Sequence, residues 1–259
     1  MRKFEIVNAL IARRGYRKYL EICTPATGLF FGRVDRERLQ WKHRLMYRCP
    51  AGFNDGWEIT FRSEDEQVGR SMNPAMRYDL IFVDPFHSFE CSLRDLEFAA
   101  DLLEPGGAII VHDCSPPTRE SATAWFRPGS WCGLTYNAYI KFVLSHPELV
   151  YYTVDTDFGC GVIRRWPVTP PFAAPSGTNR NRLLQQWQRE EKRSRDMFDF
   201  FCRHRRELLN LISVKEFLAR ENIESPLLSR LGYRLDALLW KVRLAAGREP
   251  ARAVTEFRL

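Results

Sequence analysis

Two hydrophobic patterns alternate along the first 165 residues. Phe4, Val7, Leu10 and Ile11 recur at helical spacing and predict an amphipathic helix over residues 3–14. Short apolar runs bounded by turn residues follow, which is typical of strands in an α/β fold. We predict these strands at residues 19–23, 45–49, 58–61, 79–84, 108–113, 150–155 and 161–164.

The segment from Tyr78 to Cys114 predicts the direction of the sheet. An apolar strand ends in Asp84, and an amphipathic helix follows it. The residues Glu104-Pro105-Gly106-Gly107 stop that helix, because proline cannot continue it and glycine accepts a left-handed turn. A second apolar strand then ends in Asp113. Strand, helix and strand form a βαβ unit, so we expect a mostly parallel sheet that is buried on both faces.

The pattern changes beyond residue 165. Residues 166–178 are rich in Pro, Ala and Ser and predict a linker, and residues 179–259 form a charged, helical C-terminal extension. The apolar residues Leu183, Trp187 and Phe201 of this extension must pack against another surface, either the sheet or a second copy of the chain. We therefore expect a homodimer to which these helices contribute.

Composition indicates a globular protein, with 45% hydrophobic and 27% charged residues. No apolar run approaches the ~20 residues that span a bilayer, and no signal-peptide pattern is visible, so we expect a cytoplasmic protein without a membrane partner. The seven cysteines lack zinc spacing, and we interpret most of them as buried hydrophobes. The net charge is +7, but basic residues alternate with acidic ones, as in residues 189–193. This mixing favours solvated helix faces over a nucleic-acid site.

Candidate chemistry lies in the polar residues that follow the apolar strands. In open parallel sheets, ligands bind beyond the carboxyl ends of the strands, near the point where the strand order reverses. The segments at these ends are Glu21–Gly28, Ser63–Asp65, Asp84–His87 and His112–Cys114.

These segments resemble a known family. Tyr19-Leu20-Glu21-Ile22 and the turn with Gly28 are similar to the first motif of class I S-adenosylmethionine-dependent methyltransferases. Residues 78–87, with Val-Asp-x-x-His, and residues 103–114, with Pro-Gly-Gly and His-Asp-Cys, resemble the fourth and fifth strands of bacterial small-molecule and glycan methyltransferases. The resemblance implies a Rossmann-like domain over residues 1–165 that binds S-adenosylmethionine. The cofactor-binding residues it implies are Glu21, Cys23, Thr24, Gly28, Ser63 and Asp84.

The resemblance also implies a metal site and a base. In metal-dependent members such as catechol O-methyltransferase, acidic residues at the ends of the fourth and fifth strands hold Mg²⁺, which places Asp84 and Asp113 as ligands here. A basic residue three positions after the first aspartate takes the hydroxyl proton, and His87 has that offset. Cys114 stands where the family has asparagine, and a thiol is a poor Mg²⁺ ligand, so both a metal-assisted and a metal-free His87 remain open.

Each of these residues also has a structural interpretation. Asp84 or Asp113 could cap the following helix or turn, and His87 could be a helix-start residue bonded to the backbone. His43 is interpreted as a surface residue. Trp125, Phe126, Trp131 and Tyr136 are typical of a core, although by resemblance they lie in the loop where substrate enters.

The function that these features predict is O-methylation of a small-molecule or sugar hydroxyl, with Asp84 and Asp113 at the reacting centre and His87 as the base. The alternative is a scaffold or binding protein that keeps the fold and has lost affinity for the cofactor. A nucleic-acid-binding protein ranks third, because the sequence contains no recognisable nucleic-acid-binding motif.

Overall fold

The structure of the protein is a computed structural model that describes residues 1–24, 28–48, 58–63, 75–127, 129–165, 177–194 and 196–223. The helix predicted near the C-terminus at residues 227–246, most of the predicted linker and residues 25–27 of the first turn lie outside the described residues. The helices are α1 (Lys3–Arg14), α2 (Phe89–Leu102), α3 (Thr135–Ser145), α4 (Gly177–Arg193), α5 (Phe198–Leu208) and α6 (Val214–Arg220), with a 3₁₀-helix at Gly28–Arg33. The strands are β1 (Lys18–Cys23), β2 (Trp41–Arg48), β3 (Glu58–Ser63), β4 (Tyr78–Asp84), β5 (Leu103–Val111), β6 (Leu149–Val154), β7 (Cys160–Arg165) and β8 (Leu211–Ile212).

The described strands form one sheet in the order β3-β2-β1-β4-β5-β7-β6-β8. Neighbouring strands from β2 through β1 and β4 to β5 run parallel, as the βαβ pattern predicts. Strand order reverses between β1 and β4, because β2 and β3 lie on one side of β1 and the later strands lie on its other side. A ligand site is expected at this reversal.

The two faces of the sheet are covered by different helices. On β4, Leu80 and Phe82 point to the face covered by α1 and α6, whereas Ile81 and Val83 point to the face covered by α2, α3, α4 and α5. Alternate side chains of a strand point to opposite faces, so an all-apolar strand needs cover on both sides. The result is a three-layer α/β/α arrangement with its core on both sides of the central strands.

Several details differ from the sequence predictions. β2 begins at Trp41, four residues before the predicted start, and the Pro-Gly-Gly stretch is a bulged part of β5, with Gly106 at a φ of 80°. β3 runs antiparallel to β2. The turn residues Asn54-Asp55-Gly56 between them are compatible with a hairpin, but they do not by themselves show which strands pair.

The described part of the C-terminal extension packs on the sheet. Leu183, Trp187 and Phe201 are fully buried in the core on the α2–α5 face, and β8 pairs with β6. These side chains are therefore buried within one chain, and they no longer give a reason to expect a dimer interface. The homodimer stays a prediction that light scattering would test. Among the described residues, no helix is long and apolar enough to cross a membrane.

Candidate functional site

Three neighbouring strands deliver polar residues to the reversal point. Cys23 at the end of β1 pairs with Asp84 at the end of β4, and the backbone N–H of His112, just past β5, donates to the carbonyl of Val83 at 3.0 Å. The sheet register therefore brings Asp84 and Asp113 to the same edge, as the sequence predicts.

The centre of the site is a buried cluster of carboxylates and imidazoles. Nε2 of His87 lies 3.0 Å from Oδ2 of Asp113 and 3.5 Å from Oδ1 of Asp84. Nδ1 of His112 lies 3.1 Å from Oδ2 of Asp113 and 3.4 Å from Oδ1 of Asp84. All four side chains are at most 6% exposed, so their charges interact with little screening by solvent.

His87 is positioned by the loop that follows β5. Its Nδ1 lies 2.7 Å from the carbonyl oxygen of Trp131, which can only accept, so Nδ1 carries a proton and Nε2 faces the carboxylates. The carbonyl of His87 accepts from the N–H of Leu134 at 2.8 Å. Gly133 has a φ of 57°, and a Cβ there would lie 2.0 Å from the carbonyl oxygen of His87. The loop therefore lies against the histidine backbone as closely as glycine allows.

Ser88, rather than Asp84 or His87, caps α2. Its side-chain oxygen accepts from the backbone N–H of Cys91 at 3.2 Å. The capping interpretation of Asp84 is therefore not needed, and its carboxylate is available to the cluster. One ring nitrogen of His87 contacts the backbone, as its structural interpretation predicts, and the other faces the acids. Its role as a base stays a prediction.

Asp113 adopts a left-handed backbone conformation, with a φ of 60°. Such a conformation is uncommon outside glycine, although Asp tolerates it better than most residues. The next two residues fix it: the N–H of Cys114 donates to the carbonyl of Gly159 at 3.1 Å, and that of Ser115 donates to the carbonyl of Phe158 at 2.7 Å. The β6–β7 turn thus holds the carboxylate of Asp113 toward both imidazoles.

A lysine from the first helix completes the cluster. Nζ of Lys3, at the start of α1, lies 2.6 Å from Oδ2 of Asp84 and 3.4 Å from Nδ1 of His112. Asp157, in the β6–β7 turn, accepts the backbone N–H of Lys3 at 2.9 Å, and its other oxygen lies 3.8 Å from Nε2 of His112. The sequence did not identify Lys3 and Asp157, because a charged residue at a helix end or in a turn is usually exposed to solvent.

The cluster shifts the pKa values of its members. Burial alone would lower the pKa of His87, but the charge of Asp113 and the contacts with Asp113 and Asp84 outweigh it and raise that pKa to about 9. Burial would raise the pKa of Asp84, yet Lys3 and His112 hold it well below its usual range. The pKa of Asp113 is likewise lowered by His112 and His87 against the effect of burial.

The residues do not fit a divalent ion as they are arranged. Ligand atoms of Asp84, His87 and Asp113 lie within 4.8 Å of one another, which is a spacing that a metal ion could use. However, the ammonium of Lys3 already contacts Asp84, and the thiol of Cys114 donates to the carbonyl of Val111 at 3.4 Å inside the core. Asp84 and Asp113 lie side by side as predicted, but one carboxylate oxygen of Asp84 already contacts a side-chain cation.

The predicted cofactor residues fall into two groups. Glu21, Cys23 and Thr24 are buried on β1 and directly after it, and Gly28 begins the 3₁₀-helix that follows the first turn. Burial raises the pKa of Glu21 to about 7, against the lowering effect of hydrogen bonds with Cys23 and Tyr19. A cationic ligand at this strand end would stabilise the ionised carboxylate, and S-adenosylmethionine carries such charges.

Ser63 does not belong with these residues. Because β3 is antiparallel, Ser63 pairs with His43 near the amino end of β2, whereas Cys23 of β1 pairs with Met46 further along that strand. The antiparallel pairing therefore places Ser63 away from the end of β1, and its contact with the cofactor stays a prediction that this position does not support.

His43 and two of the four aromatic residues differ in burial from their predictions. His43 is buried, with Nδ1 2.9 Å from the hydroxyl of Tyr78, so its interpretation as a surface residue is wrong. Tyr136 and Trp131 are buried as predicted for a core, but Trp125 is 79% exposed and Phe126 is 66% exposed. The ring of Phe126 packs edge-on against Trp131 at 5.3 Å, and Trp131 lies 5.1 Å from His87.

Comparison with known proteins gives one family model and two solved structures of low similarity. Residues 9–114 match the family model described as a methyltransferase domain. Among solved structures, the O-methyltransferase from Bacillus cereus in complex with SAH is 13% identical, with a TM-score of 0.38 over 63% of this chain and 80% of that one. TomG from Streptomyces achromogenes, an O-methyltransferase involved in tomaymycin synthesis and solved in complex with SAM, is 10% identical, with a TM-score of 0.35 over 62% of this chain and 78% of that one.

No curated protein matches the sequence. The family match covers β1, the reversal point and the whole β4–α2–β5 unit with its polar strand ends. Residues 9–114 are therefore similar to a methyltransferase domain.

Proposed function

We propose that the protein transfers a methyl group from S-adenosylmethionine to a hydroxyl oxygen of a small-molecule or sugar acceptor, with His87 as the general base. The observation that carries this proposal is the orientation of His87, whose Nε2 faces the strand ends while Nδ1 is held by the loop. When bound, S-adenosylmethionine supplies a methyl group on a cationic sulfur. With the cofactor bound, the acceptor oxygen would displace the sulfur at the methyl carbon, and the hydroxyl proton would pass to Nε2 of neutral His87.

The surrounding residues orient this base rather than react themselves. Asp113 and Asp84 stabilise the imidazolium that forms when His87 accepts the proton, because both carboxylates lie within 3.5 Å of Nε2. The backbone of the loop fixes the ring, which keeps the basic nitrogen on the acceptor side. In-line transfer depends mainly on this alignment.

Binding of the cofactor is the first expectation to test. Calorimetric titration with S-adenosylmethionine and with S-adenosylhomocysteine should show one site. The Glu21→Gln variant should bind S-adenosylmethionine about tenfold more weakly, because the buried carboxylate that faces a cationic ligand is lost. Glu216→Gln is the matched control, since Glu216 is a surface residue that caps α6. Absence of any heat of binding or thermal shift at millimolar cofactor would favour the scaffold alternative.

The exposed aromatic pair is expected to bind the acceptor. The Trp125→Ala/Phe126→Ala variant should raise the KM for the acceptor roughly tenfold with kcat within about twofold, since these rings contact the acceptor and not the reacting atoms. Steady-state assays of S-adenosylhomocysteine release with a panel of phenolic and sugar hydroxyl acceptors would measure this. Phe98→Ala is the control, because Phe98 is a third large apolar side chain that α2 leaves exposed. An unchanged KM for every accepted compound would exclude this surface as the acceptor site.

A further inference from the structure

The salt bridge between Lys3 and Asp84 joins residues 81 positions apart in the sequence. The side chain of Lys3 is 17% exposed and that of Asp84 is 1% exposed, so the pair lies inside the site rather than on the surface. Surface salt bridges contribute little to stability, but a charge pair at this depth strongly affects which other cations can bind in the site.

The backbone around Lys3 is fixed by the β6–β7 turn. Asp157 accepts the backbone N–H of Lys3, and the hydroxyl of Thr156 donates to the carbonyl of Met1. Behind it, α1 is anchored to the sheet by Ile6, Val7 and Leu10, all fully buried. The lysine is therefore preorganised, and little freedom is lost when its side chain extends to Asp84.

We propose that the ammonium of Lys3 is the resident cation of this site and takes the place that a divalent metal ion holds in metal-dependent methyltransferases. This inference concerns the site itself and goes beyond the proposed methyl transfer.

The charge pattern supports the proposal. Three side chains that can carry positive charge, Lys3, His87 and His112, face three carboxylates, Asp84, Asp113 and Asp157. A divalent ion would add two positive charges to a buried cluster that the protein can already neutralise. It would also place a second cation on Asp84, whose Oδ2 the ammonium already contacts.

The orientation of Cys114 supports the proposal as well. Cys114, which stands where metal-dependent relatives place an oxygen ligand, is turned into the core.

Binding of Mn²⁺ to the full chain, followed by electron paramagnetic resonance, tests the proposal without an assay of methylation. Wild-type protein should bind no stoichiometric Mn²⁺ at this site below about millimolar concentration, and a chelator should leave its Tm unchanged. Lys3→Met should gain one Mn²⁺ site with affinity roughly tenfold or more above wild type, because Asp84 becomes available. The added change Asp113→Asn should abolish that gain.

Lys18→Met is the matched control, since Lys18 also forms a salt bridge, 2.7 Å from Glu104, on a different part of the protein. It should bind Mn²⁺ as wild type does. The proposal is overturned if wild-type protein binds one Mn²⁺ that Asp113→Asn removes, or if folded Lys3→Met gains no site. The wild-type measurement decides the question even if the lysine variant fails to fold. Since none of these readouts needs methyl transfer, failure of the proposed function would be seen separately, in the cofactor titration.

Discussion

Replacing His87 by alanine is expected to lower kcat/KM by about 10²- to 10⁴-fold, which is the usual contribution of a positioned general base. The ring lies between the two carboxylates and the loop. Among the described residues, no other imidazole has a loop carbonyl against one nitrogen and carboxylates against the other. Cofactor affinity should change little, because the base acts on the acceptor. Steady-state kinetics together with calorimetric binding would separate these effects.

His146→Ala is a suitable control for this change. His146 also places Nδ1 against a backbone carbonyl, that of Phe142 at 2.8 Å, but it lies at the end of α3 rather than in the cluster. Its replacement should leave kcat/KM within about twofold of wild type. Equal losses for both variants would point to a general effect of removing a helix-end histidine.

The same base predicts the pH dependence of the reaction. Only neutral His87 can accept a proton, and its pKa is raised to about 9, so kcat/KM should rise about tenfold per pH unit from pH 6 toward pH 9 and then level. The charged groups that face the ring are Asp84 and Asp113, with His112 and Lys3 behind them. A profile that already levels near pH 6.5 would show that the carboxylates do not raise the pKa of His87 as the geometry implies.

Asp84→Asn should have the largest effect on stability. Asp84 balances Lys3 directly and contacts both imidazoles, so its loss leaves positive charge buried without its nearest partner. Removing one partner of a buried ion pair costs about 3–5 kcal/mol, which corresponds to a fall in Tm of roughly 6–20 °C for a domain of this size. Thermal and denaturant unfolding would measure the change.

Asp155→Asn provides the comparison for this prediction. Asp155 pairs with Arg205 at 2.8 Å, but the two side chains are 50% and 37% exposed, so its loss should cost at most about 1 kcal/mol. Combining Asp84→Asn with Lys3→Met should recover part of the stability, because the uncompensated ammonium is then gone. If Asp84→Asn and Asp155→Asn unfold at the same temperature, the cluster does not carry the strong coupling described here.

The region from Tyr78 to Cys114 could be predicted well from sequence, for physical reasons. Its strands are apolar throughout, since both faces are buried, and its polar residues follow at the edge where ligands bind. Local rules therefore located β4, α2 and β5 as well as Asp84, His87 and Asp113. The parallel register then brought these residues together without any further information.

What the sequence did not show depends on contacts between distant segments. An apolar run does not say which strand lies beside it, so the antiparallel direction of β3 displaced Ser63 from the predicted site. The helical period of α1 identified its buried face, but not that the start of this helix meets the end of β4. His43 was misread for the same reason, because its partner Tyr78 lies on another strand.

The loop against His87 also links entry of the acceptor to the position of the base. Residues of one segment, Trp131, Gly133 and Leu134, hold the base, while Trp125 and Phe126 of the same segment are exposed to solvent. A displacement that admits a bulky acceptor therefore also withdraws the carbonyl that orients the imidazole. We expect proton removal to require that this segment has returned, so that movement of the loop limits the rate of turnover.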